Sequence, residues 1–151
     1  MHKQIIGGDC GYYALLHCVE AFNVKSSISE LREYVGVSWL GAALHGVEQD
    51  DLVEGIREMG WRVKEIDDDN VSAFLHTINR KMKQGYKLII SVEDGTHWAA
   101  ITAYRIVGKT MLYYCVDSKP KDGHSYEIWR REEELAEWME TNDLCAISIK
   151  R

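Results

Sequence analysis

Four segments in the second half of the chain, "YKLIISVE", "HWAAITAYRIV", "KTMLYYCVD" and "LCAISIK", are dense in β-branched and aromatic residues. They restrict the fold more than any other feature, because strands that follow one another this closely pair as antiparallel neighbours. One helical pattern, "RREEELAEWMETN", interrupts them. The first half reads differently. From Cys10 to Phe22 the apolar residues Tyr13, Ala14, Leu16, Cys18, Ala21 and Phe22 recur at three- and four-residue steps, the period of a largely buried helix. "SISE", from Ser27 to Glu30, forms a capping box that opens a second helix, ending near Tyr34 or Val35 ahead of Gly36. Between Gly36 and Gln49, three glycines with Trp39 and Leu40 predict a long functional loop. "DDLVEGIREMG" has acids in its first turn and a glycine at its end, as a third helix should. "WRVKEI" alternates like a half-buried strand, and Asn70 caps a further helix in "VSAFLHTINRKMKQG". This order predicts a single α+β domain over residues 1–151, with a helical part to about residue 85 and an antiparallel sheet part after it.

At 151 residues the chain can bury a core without disulfide or metal support. A formal charge of -6 argues against nucleic-acid partners and anionic membrane surfaces, which are bound largely through Lys and Arg. No apolar run approaches the roughly 18 residues of a membrane span, and the start "MHKQIIGGDC" has no signal-peptide core, so a cytoplasmic protein without membrane insertion is expected. Cys10, Cys18, Cys115 and Cys145 are scattered, without the paired spacing of a zinc site, and the ordinary expectation for each is a buried reduced thiol.

Cysteine is a nucleophile as thiolate, which a helix N-terminus and a nearby imidazolium both favour. Cys10 has the first by position, with Gly7, Gly8 and Gly11 leaving its sulfur approachable. The same position suits a small buried residue, and the segment alone does not choose. His17 lies seven residues along the same helix, about 10 Å away at 1.5 Å per residue, and cannot reach Cys10. His2 is near the terminus, His76 sits in a helix, and His45 and His124 fall in loops with no acid or cysteine signal beside them. His97 differs because it opens a strand, where a sheet holds the side chain. Asp117 ends the next strand and would fix the tautomer of His97 if the two shared a face. A two-residue turn at Gly108-Lys109 sets Asp117 opposite Ala100, on the wrong face. A three-residue loop at Ile106, Val107 and Gly108, or an equivalent bulge, brings Asp117 to His97. Otherwise Asp117 is an ordinary strand-end acid. Gln4, six residues before Cys10, offers an amide donor for an oxyanion beside the Cys10 backbone N–H.

Gln4, "GDCGYYAL", "HWAAITAY" and "VDS", in that order, resemble the papain-like cysteine peptidases, and more closely the bacteriocin-processing domains that trim double-glycine leaders. The likeness extends over nearly the whole chain, through "SISELREYVGV", "DLVEGIREMGWRVKEI" and "GYKLIISVEDGTHW". It implies a papain-like fold, with a helical lobe carrying Cys10 packed on a sheet lobe carrying His97 and Asp117. It also implies roles: Cys10 as nucleophile, His97 as base and then acid, Asp117 as orienter and Gln4 as oxyanion donor, with no metal and no cofactor. The expected partner is a peptide or protein cleaved after small residues such as Gly-Gly. The 151 residues carry no membrane or ATPase segment of the kind the familiar exporters fuse to this domain. Two alternatives stay open: an acyl or amide transferase using the same residues, and a catalytically silent peptide-binding module. A zinc protein using His97, Asp117 and the cysteines ranks last for want of ligand spacing.

Overall fold

The computed structural model describes residues 10–36, 48–118, 126–140 and 144–151. The predicted loop between Gly36 and Gln49 therefore lies, over residues 37–47, outside the described residues, as do Gln4, His2, His45, His124 and Trp39. The elements run in the order α1 (Cys10–Ala21), α2 (Ile28–Val35), α3 (Gln49–Glu58), β1 (Arg62–Asp68), α4 (Val71–Lys83), β2 (Lys87–Val92), β3 (His97–Val107), β4 (Thr110–Val116), β5 (Glu127–Arg131), α5 (Glu132–Met139) and β6 (Leu144–Lys150).

Local chemistry sets the helix ends. The Ser27 hydroxyl accepts the Glu30 N–H, while the Glu30 carboxylate accepts from the Ser26 hydroxyl, so the capping box is shared over two serines. Gly36 closes α2 at φ 74°, a left-handed position that glycine adopts without steric cost. The Asn70 side chain accepts the Ala73 N–H at 2.9 Å and starts α4.

The six strands form one antiparallel sheet in the order β1-β6-β2-β3-β4-β5. The strand read in the helical half, β1, joins this sheet at its edge, paired with β6. One face holds a core of Ile89, Ala100, Val116, Ile147 and Ile149 under α1, α2 and α3. The other buries Leu88, Ile90, Ala99, Ile101 and Tyr113 with Phe74 and Ile78 of α4 and Leu135 and Met139 of α5. Burial on both faces explains why β2 and β6 read as nearly continuous apolar runs, whereas β1, at the edge, alternates.

β5, "EIWRR", adds a strand to those that the sequence pattern predicts. It is an edge strand whose residues are mostly exposed, so it has neither an apolar run nor a clean alternation, and it passes directly into α5.

The β3-β4 hairpin corrects one expectation and meets its stated equivalent. The turn is the two-residue Gly108-Lys109 connection, with Val107 opposite Thr110 and Gly108 at φ 63°, not a three-residue loop. The register then slips between Ile101 and Ala103, so that Thr102 is an extra residue on β3. Above this bulge Ala100 pairs with Val116, and the following step sets Asp117 against Ala99, at the parity of His97.

Candidate active site

Three of the four residues expected to form a site meet at one end of the sheet. Cys10 is the first residue of α1 and is half-buried, at the end of the helix where backbone N–H groups favour an anion. His97 is the first residue of β3 and is buried. Asp117 follows β4, is buried, and has its backbone N–H bonded to the Tyr126 carbonyl at 2.8 Å. The His97 Nε2 and an Asp117 carboxylate oxygen are 2.6 Å apart, the short distance of a charge-assisted hydrogen bond.

Burial by itself would push the His97 imidazole below its ordinary 6.5. Hydrogen bonds to Asp117 and Cys10, and the charges of both, outweigh it and raise the group to about 10. The ring is therefore engaged by both neighbours, with Nε2 taken by Asp117.

The approach to His97 is strained in a specific way. Glu93, Asp94 and Gly95 all have positive φ, at 54°, 56° and 77°. The first two are not glycine, and such positions cost energy unless the surroundings over-determine them. Here the Glu93 and Asp94 N–H groups donate to the Trp138 and Met139 carbonyls at 2.8 and 3.0 Å. The last turn of α5 thus has carbonyls satisfied by the turn that delivers His97. The Glu93 carboxylate accepts from the Trp138 indole at 3.4 Å, and it gathers with His97 and Asp117 so that their ligand atoms lie within 4.8 Å of one another. As a cation site this triad of donors is poorly arranged, because Nε2 and the Asp117 oxygen point at each other in a hydrogen bond.

The other cysteines are separate from this site. Cys18 is fully buried, its thiol donates to the Leu88 carbonyl at 3.3 Å, and burial pushes it far up. Cys115 is also buried, and burial raises it to about 11. The Cys145 thiol donates to the Gln49 side-chain oxygen at 2.8 Å.

His17 makes a buried contact that no local sequence pattern announces. Its distance from Cys10 along α1 is as expected, yet its Nε2 lies 2.6 Å from the Ser118 hydroxyl, one residue beyond Asp117. The period of α1 marks His17 as an inward position, but no local signal names a partner 101 residues away.

Helices packed on both faces of a six-stranded antiparallel sheet, with Cys10 at a helix start facing His97 and Asp117, give the chain a papain-like fold. The solved structures it resembles are more particular. With the peptidase domain of the Streptococcus ComA bifunctional ABC transporter it shares 17% identity at a TM-score of 0.66, covering 98% of this chain and 95% of that one. With a double glycine motif protease from an AMS/PCAT transporter, solved with its leader peptide, it shares 16% identity at a TM-score of 0.63, covering 99% and 89%. The peptidase domain of Streptococcus mutans ComA gives 12% identity and a TM-score of 0.53 over the whole chain. No sequence-family model and no curated protein matches the chain. No helix among the described residues is long and apolar enough to cross a membrane.

Proposed function

We propose that this protein is a cysteine peptidase using Cys10, His97 and Asp117. The observation that carries the reading is the double engagement of His97 at the start of β3, bonded through Nε2 at 2.6 Å to Asp117, just after β4, and engaged by Cys10 at the start of α1 as well. In this reading the Cys10 thiol gives its proton to His97, and the sulfur attacks the acyl carbon of a peptide bond, forming a C–S bond as the carbonyl oxygen becomes an oxyanion. The Cys10 backbone N–H at the start of α1 and the Gln4 amide are the donors assigned to that oxyanion. Collapse breaks the C–N bond, and His97 returns the proton to the departing amine. Water, deprotonated by His97, then attacks the thioester, releases the acid and restores the thiol. Asp117 keeps the ring oriented and offsets its charge throughout.

The substrate class we assign is a peptide with small residues such as Gly-Gly before the scissile bond, supported by the fold shared with double-glycine peptidase domains. A cytoplasmic place of action accords with the composition.

The test is iodoacetamide alkylation from pH 5 to 9, with the adduct located by mass spectrometry, beside a His97→Ala sample. Selective reaction of Cys10 at low pH, lost in the variant, is expected. A Cys10 that reacts like a free thiol in both samples overturns the reading. Cleavage of peptides after Gly-Gly, compared with Gly-Gly replaced by bulkier pairs, tests the substrate clause.

A further inference from the structure

We propose that His17 and Ser118 are positioning residues for this site, joined in a hydrogen bond that fixes the helix bearing Cys10 to the strand end bearing Asp117. The inference rests on the assignment of Cys10, His97 and Asp117 as the reacting groups. Helix α1 carries Cys10 as its first residue and His17 two turns later. The chain leaving β4 carries Asp117 and then Ser118. Between them, His17 Nε2 and the Ser118 hydroxyl are 2.6 Å apart, and the two residues are only 7% and 4% exposed.

Imidazole and hydroxyl are each donor and acceptor, so one donates and the other accepts in either histidine tautomer. Water cannot readily replace either partner at this depth, and breaking the pair leaves a buried polar group unsatisfied. The bond therefore resists sliding of α1 along the sheet. The Cys10–His97–Asp117 chain connects the same two elements by way of β3. The His17–Ser118 bond connects them directly, so the distance between the sulfur and the carboxylate is set independently of the ring that must sit between them. With the Asp117 N–H bonded to Tyr126, the backbone around the carboxylate is then held from two directions. A histidine that merely filled space in α1 would have no bearing on the protonation state of the Cys10–His97 pair.

The readout is the pH profile of Cys10 alkylation by iodoacetamide, measured on the full chain as wild type, His17→Ala, Ser118→Ala, Ser118→Thr and the double alanine variant. Misplacement of reacting groups by a fraction of an ångström to an ångström costs roughly 10- to 100-fold. We expect the alkylation rate near pH 6 to fall by about that factor in each alanine variant, with little change at pH 9, where a thiol ionises unaided. The double variant should fall no further than the single ones, because both remove the same bond. Ser118→Thr, which keeps the hydroxyl, should restore the rate. If His17→Ala does not fold, Ser118→Ala, which deletes one oxygen, carries the test. A wild-type rate near pH 6 in folded Ser118→Ala, or losses that add in the double variant, overturns the proposal while leaving the three-residue site standing. A wild-type Cys10 with no low-pH reactivity overturns that site itself, and the bridge with it.

Discussion

Replacing Asp117 with asparagine removes the charge beside His97 while nearly preserving shape and leaving an oxygen to accept the Nε2 bond. In the native protein His97 holds its proton up to about 10, against an ordinary 6.5, which at about 1.4 kcal/mol per tenfold amounts to on the order of 5 kcal/mol. Because the folded state binds this proton more tightly than the unfolded chain, the stabilisation is complete below about pH 6.5 and is lost as the pH rises through about 10. An opposing charge in contact typically accounts for about 1 to 3 pH units, and burial, which pulls the other way, is then opposed by Cys10, by the retained amide-oxygen hydrogen bond and by the nearby Glu93 carboxylate. Asp117→Asn should therefore lower the His97 value by that amount, and cost about 1.4 to 4 kcal/mol more at pH 6 than at pH 10. Urea unfolding at both pH values gives the energies, and NMR titration of the imidazole gives the midpoint. A variant whose midpoint is unchanged, or whose destabilisation is equal at pH 6 and pH 10, would refute the claim that the carboxylate sets the protonation of His97.

Two further outcomes follow from other parts of the structure. A Cβ at Gly55 would lie 2.8 Å from Val35 Cγ2 and 2.9 Å from Val35 Cα, so Gly55→Ala should push α2 and α3 apart. The expected strain of about 1 to 3 kcal/mol exceeds the gain in helix propensity of about 1 kcal/mol, and a lower urea midpoint is the check. Cys18 and Cys115, buried and pushed up by burial, should resist iodoacetamide in native protein and become labelled together only on unfolding. Mass spectrometry along a urea series decides this, and labelling of either before the global transition would contradict the described core.

Much of the fold is written in local chemistry. Ser27, Gly36 and Asn70 act at the ends of the very helices they announce, because a cap involves groups three or four residues apart. The inner strands are apolar enough to be read directly. What escaped is what depends on partners elsewhere. β5 is exposed and short, and is a strand only because β4 lies beside it. The bulge at Thr102 leaves no mark in composition, yet it decides whether Asp117 faces His97. The candidate site was legible in part for the same reason: Cys10 at a helix start and His97 at a strand start are local facts, whereas the His17–Ser118 bond is a product of packing. Gln4 lies outside the described residues, so its assignment stands on the sequence.

The extra residue at Thr102 also divides the β3-β4 hairpin into two stretches with different freedom to vary. Nearer the site, the pairing of Ala100 with Val116 is tied to the orientation of Asp117. Beyond Thr102, the ribbon from Ala103 to Tyr114 projects outward to exposed Ile106 and Val107 and closes at Gly108-Lys109. A residue gained or lost at that tip alters the pairing of the outer ribbon, and a slip of one position has a place to be absorbed before it reaches the carboxylate. The tip is thus where this protein can accept a grafted epitope, a fluorophore attachment point or natural length variation, while the same insertion between Thr102 and His97 would turn the site inside out.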